Sequence, residues 1–161
     1  MFYTFDANDK QEPKIIKYQD HYELSFGSID NDEYTKKGFR CYGKTKEITI
    51  ESLHDSINKY VEDKIINGLV WSDIKIYCSK ENQQNWKTVY DYAVQTTGDN
   101  LPVTLKLGEN EDGSSVYYTF GSRAEMKKFM SAMFEHILSC LQEGWSMKDE
   151  LAKTNFIEEN G

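Results

Sequence analysis

Apolar and polar positions along the chain follow two different periods. At the N-terminal end Phe2 and Phe5, then Ile15, Ile16 and Tyr18, then Tyr22, Leu24 and Phe26 exchange with polar neighbours at steps close to two. That is strand chemistry, because successive side chains of a strand point to opposite faces. Asn8-Asp9-Lys10 and Gln19-Asp20 supply turn residues between the pieces, so 1–26 is predicted to be a short antiparallel meander. A polar stretch, 27–37, interrupts the pattern, and Gly38-Phe39-Arg40-Cys41-Tyr42 resumes it.

From Ile50 the period lengthens. Ile50, Leu53, Ile57, Tyr60, Val61 and Ile65 fall at helical steps, which predicts an amphipathic helix of about four turns stopped by Asn67-Gly68. Strand-like material returns at 74–78, 86–94, 103–107 and 116–120, the last two reading as a hairpin across a polar turn. The clearest signal begins at Gly121, where Ser122 and Glu125 have the spacing of a capping box. Behind it Met126, Phe129, Met130, Met133, Phe134, Ile137, Leu138 and Leu141 keep a three-four rhythm, one face of a helix about 30 Å long. Gly144 is expected to end that helix, Ser146 to cap a second short one through Met147 and Leu151, and the tail from Glu158 to fray.

Strands, helix, strands and helix in that order predict an α+β fold, an antiparallel sheet with a long C-terminal helix and one mid-chain helix packed on one face. No repeat or linker divides the chain, so 1–161 reads as a single domain. A sub-division near Asp99-Asn100 would separate a strand-rich part, 1–99, from a hairpin with helices, 100–155.

Composition changes this picture in one respect. Leu, Ile, Val and Phe number 35, about 22% of the chain and only just above the level of disordered sequences. Eleven Tyr, eight Phe and three Trp make up the difference, since each buried ring contributes on the order of 150–250 Å². Apolar runs are too short for a transmembrane helix. The N-terminus lacks the basic start and apolar centre of a secretory signal, so the expected location is the cytoplasm of a host cell, or a virion. Cys41, Cys78 and Cys140 are odd in number and widely spaced, and read as free thiols.

A net charge of −8 opposes nucleic acid and anionic membrane, so neither is expected as a direct partner. Phosphate-loop, nucleophile-elbow and complete calcium-loop motifs are all missing, and no cofactor or catalytic residue is assigned. His136 and Cys140, four apart on one helix, supply two ligands where tetrahedral zinc needs four; a solvated His beside a half-buried Cys is the expectation. One segment runs against the global charge: Tyr34, Lys36, Lys37, Phe39, Arg40, Tyr42, Lys44 and Lys46 interleave five cations with three rings. It reads as a solvated basic hairpin, with a protein-docking patch and, against the opposing net charge, a nucleic-acid surface as the functional alternatives. The Met-rich helix face, Met126, Phe129, Met130, Met133, Phe134 and Ile137, is predicted to seal the core, any surplus width serving as an interface.

The C-terminal third carries a resemblance. Residues 100–153, from Asn-Leu-Pro-Val-Thr-Leu-Lys-Leu-Gly through Tyr-Thr-Phe-Gly-Ser-Arg-Ala-Glu-Met to Glu-Gly-Trp-Ser-Met-Lys-Asp-Glu-Leu, resemble a C-terminal domain of unknown function found in phage and prophage tail-associated proteins. The resemblance implies a non-catalytic protein of viral or prophage origin that works through protein contacts in or near a tail, and it implies no site residues. Its partner would be a second copy of itself or a host protein. The alternative is a small acidic anti-defence inhibitor, of the anti-restriction or anti-CRISPR kind, that binds a host nuclease. That alternative requires the acidic turns at Asp30, Asp32 and Glu33 and at Glu109, Glu111 and Asp112 to share one surface.

Overall fold

The computed structural model describes residues 2–6, 13–29 and 35–161, with the backbone alone at 4–6, 28–29 and 35–37. The fold is α+β. In chain order the described elements are β1 (Phe2–Asp6), β2 (Lys14–Lys17), β3 (Tyr22–Ile29), β4 (Thr35–Gly43), α1 (Lys46–Asn67), β5 (Val70–Trp71), β6 (Ile74–Lys75), α2 (Lys80–Gln95), β7 (Val103–Glu109), β8 (Ser115–Phe120), α3 (Arg123–Lys153) and β9 (Ile157–Asn160). They form two compact units: Met1–Val61 with Gln142–Gly161, and Glu62–Leu141.

The first unit is built on a five-stranded sheet in the order β1-β4-β3-β2-β9. Ile15, Leu24, Phe26, Phe39 and Cys41 project from it into a core closed by Leu53 and Ile57 of α1 and by Met147 and Leu151 of α3. α1 starts where Thr45 accepts a hydrogen bond from the Ile48 N–H at 3.2 Å, an N-cap that satisfies a donor the helix cannot. Among the described residues the one buried polar side chain, Thr49, is satisfied by donating to the Thr45 carbonyl at 2.7 Å.

Two expectations for this unit are corrected. β2 and β3 pair antiparallel, but β1 pairs with β4 rather than β2, so the first strands do not make a meander. The tail does not fray as a free end either: β9 runs parallel to β2, with Lys14 opposite Ile157. Phe156, just before it, packs on Phe26 with ring centroids 6.4 Å apart.

The second unit carries the β7–β8 hairpin, predicted in place, the short β5–β6 hairpin and α2. Ser72 and Asp73 turn β5 into β6 with φ of 49° and 63°, the pair of positive angles that a two-residue hairpin turn requires. Interlocked rings fill its core. Trp71 meets Tyr118, Phe120 and Phe129 at 5.0, 5.8 and 5.2 Å, and Trp86 meets Phe129 at 5.2 Å.

The strand expected at 86–94 is a helix. Ser79 caps α2 by accepting from the Asn82 N–H, and Trp86 and Ala93 are its buried positions. α3 is one continuous helix of 31 residues, about 46 Å, and passes through Gly144 where a break was expected.

Candidate functional site

In the second unit a groove of about 570 Å³ opens beside the hairpin, lined by Asn67, Lys75, Tyr77, Ser79, Glu81 and Lys106 among others. Its floor is main chain. The Tyr77 N–H donates to the Leu107 carbonyl at 2.8 Å, which seats the segment after β6 against β7. Gly108 permits that approach: a Cβ there would lie 2.3 Å from the Lys75 carbonyl oxygen. From below, the Trp86 indole N–H donates to the Lys106 carbonyl at 3.3 Å and fixes the β7 wall to the ring core.

The third wall is the start of α2. Asn82 donates to the Tyr77 carbonyl at 2.8 Å and Gln83 to the Cys78 carbonyl at 2.9 Å, so side chains of the first helical turn pin the strand end that precedes it. Ser79 is the cap, its side-chain oxygen accepting the hydrogen bond from the Asn82 N–H. Lys106 forms an ion pair with Glu109 at 2.7 Å, and its hydrogen bond to that carboxylate holds the lysine above the ordinary range, so it remains a cation. Among the described residues no ion pair is made by Lys75, a second cation among the residues that line the groove. Tyr77 is 51% exposed beside it, and Tyr117, directly across the ladder from Lys106, is 62% exposed.

Two cations, two carboxylates, amide and hydroxyl groups and the exposed Tyr77 ring line the groove. Among the described residues no three His, Cys, Asp or Glu side chains converge as metal ligands, and no helix is long and apolar enough to cross a membrane. The period-based reading missed this groove. It is assembled from four chain segments, and its one local signal was the pair of Lys and Glu residues flanking Leu107-Gly108.

The predicted patch of the first unit is arranged differently. β4 is an interior strand between β1 and β3, which corrects the solvated hairpin. Phe39 is fully buried and Cys41 nearly so, while Arg40 and Tyr42 face the other side of the sheet. Arg40 pairs with Glu23 at 3.4 Å and lies 5.5 Å from the Tyr3 ring centre. Lys46 pairs with Glu158 at 3.5 Å, and Lys44 is exposed. Tyr34 lies outside the described residues, and Lys36 and Lys37 are placed only by backbone, in β4. Carboxylates of the same unit therefore answer Arg40 and Lys46.

Along α3, Met126, Phe129 and Met133 are buried in the ring core, Met130 and Ile137 pack against it half-buried, and Phe134 is 65% exposed. His136 is not simply solvated. Its Nε2 lies 3.0 and 3.1 Å from the Lys64 and Ile65 carbonyls, which can only accept, so that nitrogen carries the hydrogen and caps the end of α1. Cys140 is buried rather than half-buried, with its sulfur 3.8 Å from the same nitrogen. Of the two acidic turns, Glu109, Glu111 and Asp112 are exposed, whereas Asp30, Asp32 and Glu33 lie outside the described residues.

The family model described as "Domain of unknown function (DUF4376)" matches residues 49–160, more than half of the chain, and the protein belongs to that family. The match reaches well beyond the resemblance read at 100–153, beginning inside α1 and taking in α2 and β9. Comparison with curated proteins and with solved structures found no match.

Proposed function

We propose that this DUF4376 protein is a non-catalytic component of phage or prophage origin that acts through protein contacts, as a structural or tail-associated part. The observation that carries the reading is the groove beside β7, where charges of both signs and the exposed ring of Tyr77 line a main-chain floor, with exposed Tyr117 across the ladder from Lys106. Exposed aromatics beside polar groups that are already oriented are the usual make-up of a protein-binding surface. The likeness of 100–153 to tail-associated proteins supports the viral setting.

The test is quantitative mass spectrometry of purified particles and tail precursors from the phage or prophage that encodes the chain. Stoichiometric presence is expected, with incorporation lost in a Lys75→Glu, Tyr77→Ala double variant whose circular dichroism matches the parent. Absence from both fractions overturns the tail assignment. Recovery instead of a complex with a host nuclease, sensitive to the same variant, establishes the anti-defence alternative.

A further inference from the structure

We infer that the outer edge of β8 is a self-pairing surface, docking antiparallel on the β8 of a second copy of this chain. The inference rests on the reading of the protein as one that acts through protein contacts.

β8 pairs with β7 on one side, and among the described residues no backbone hydrogen bond reaches its other side. A row of unpaired N–H and C=O groups is a template for another strand, and proteins that keep such an edge unused protect it with charge, proline or a bulge. β9 is protected in that way, with Glu158 and Glu159 in a four-residue strand. β8 is not: Ser115-Val116-Tyr117-Tyr118-Thr119-Phe120 has no charge, no Pro and no Gly, and β-branched or aromatic residues fill all but its first position. The register irregularity of the hairpin falls between Lys106 and Gly108, on β7, and leaves β8 regular.

A second copy suits this edge because the strand is complementary to itself. A two-fold axis perpendicular to the sheet passes through one residue position and matches outward residues with outward ones, and the 62% exposed Tyr117 is the position we place on it. With Tyr117 at the centre, Ser115 faces Thr119, Val116 faces Tyr118, and the two exposed Tyr117 rings meet. The flanks then oppose in charge: the turn carrying Glu109, Glu111 and Asp112 approaches the exposed Arg123 of the second copy. An edge of six residues is smaller than the interface of an obligate dimer, so the association is expected in the micromolar range.

The decisive variant is Tyr117→Cys, on an outward position whose replacement leaves the core intact. Directly opposed strand residues have Cα atoms about 4.5–5.5 Å apart, within disulfide reach. The three native thiols are all buried. Under mild oxidation of the full-length chain, Tyr117→Cys is expected to form a covalent dimer at least about 10-fold faster than Gln84→Cys on α2. Equal rates, or no covalent dimer, overturn the inference. Light scattering with size-exclusion chromatography provides the second arm: the parent passes from monomer to dimer through the micromolar range, and Tyr117→Lys stays monomeric about 10-fold higher in concentration with unchanged circular dichroism. A parent that is monomeric throughout, or a Tyr117→Lys variant that dimerises like it, also overturns the inference. Because these measurements use the purified chain alone, their failure leaves the particle-incorporation test standing, and the reverse holds.

Discussion

At the residue scale, burial and local hydrogen bonds decide what each ionisable group can do. Cys78 is fully buried, and desolvation pushes its thiol up to about 11, because a thiolate inside an apolar core has no water to stabilise it. A thiol reagent at pH 8 is therefore expected to leave Cys78 unmodified in the native protein and to label it fully in denaturant; native labelling as fast as a free thiol would contradict this placement. Glu125 shows the opposite shift. Its carboxylate accepts from the Tyr118 hydroxyl and, at 2.9 Å, from the Gly121 N–H, and the tyrosine bond first and the backbone bond second hold it below the ordinary value of 4.5. A carboxyl depressed on folding adds stability that is fully present above its unfolded pKa and is lost as pH falls through its folded one. The gap in melting temperature between the parent and Glu125→Gln is thus expected to be constant above about pH 5.5 and to shrink below about 4.5. A gap independent of pH from 7 to 3 would count against it.

At the element scale, legibility followed local pattern. α1, the β7–β8 hairpin and the Ser122 start of α3 were readable because each carries its period or cap within its own residues; Ser122 does accept from the Glu125 N–H at 3.1 Å. α2 was misread although Trp86, Val89, Tyr90 and Ala93 keep helical spacing, since a short run rich in rings and β-branched residues also satisfies strand chemistry. Gly144 was misread because its reason is tertiary. A Cβ there would lie 2.6 Å from Val61 Cγ2, so glycine marks a close approach of α1 and α3 and not a helix end. In an exposed helix Gly→Ala stabilises by roughly 1 kcal/mol. Here overpacking against a stiff β-branched side chain outweighs that gain, and Gly144→Ala is expected to destabilise by about 1–2 kcal/mol in urea unfolding. Val61→Ala in the same chain is expected to recover most of the loss, a coupling that a double-mutant cycle measures. A stabilising Gly144→Ala would show that the helices have room.

At the whole-molecule scale, what escaped the sequence is the long-range pairing. Nothing local in Ile157-Glu158-Glu159-Asn160, a polar tetrapeptide, says that it will lie parallel to a strand more than 140 residues earlier. Its place depends on what α3 delivers: Leu151 in the core, then Phe156 against Phe26, then the ladder to β2 with ion pairs from Lys14 to Glu159 and Lys46 to Glu158. The exposed ion pairs contribute little singly. The ring contact and the main-chain ladder matter more, because without β9 the strand that carries fully buried Ile15 becomes a sheet edge. Truncation after Thr154 is therefore expected to lower the hydrogen-exchange protection of 14–29 by about 10-fold or more. The amides of 103–120, in the ring-cored unit, are expected to keep theirs, since none of the deleted residues contributes to that core. Equal loss in both segments would mean that the two cores unfold as one cooperative body, and unchanged protection at 14–29 would mean that β9 only decorates an edge already stable without it.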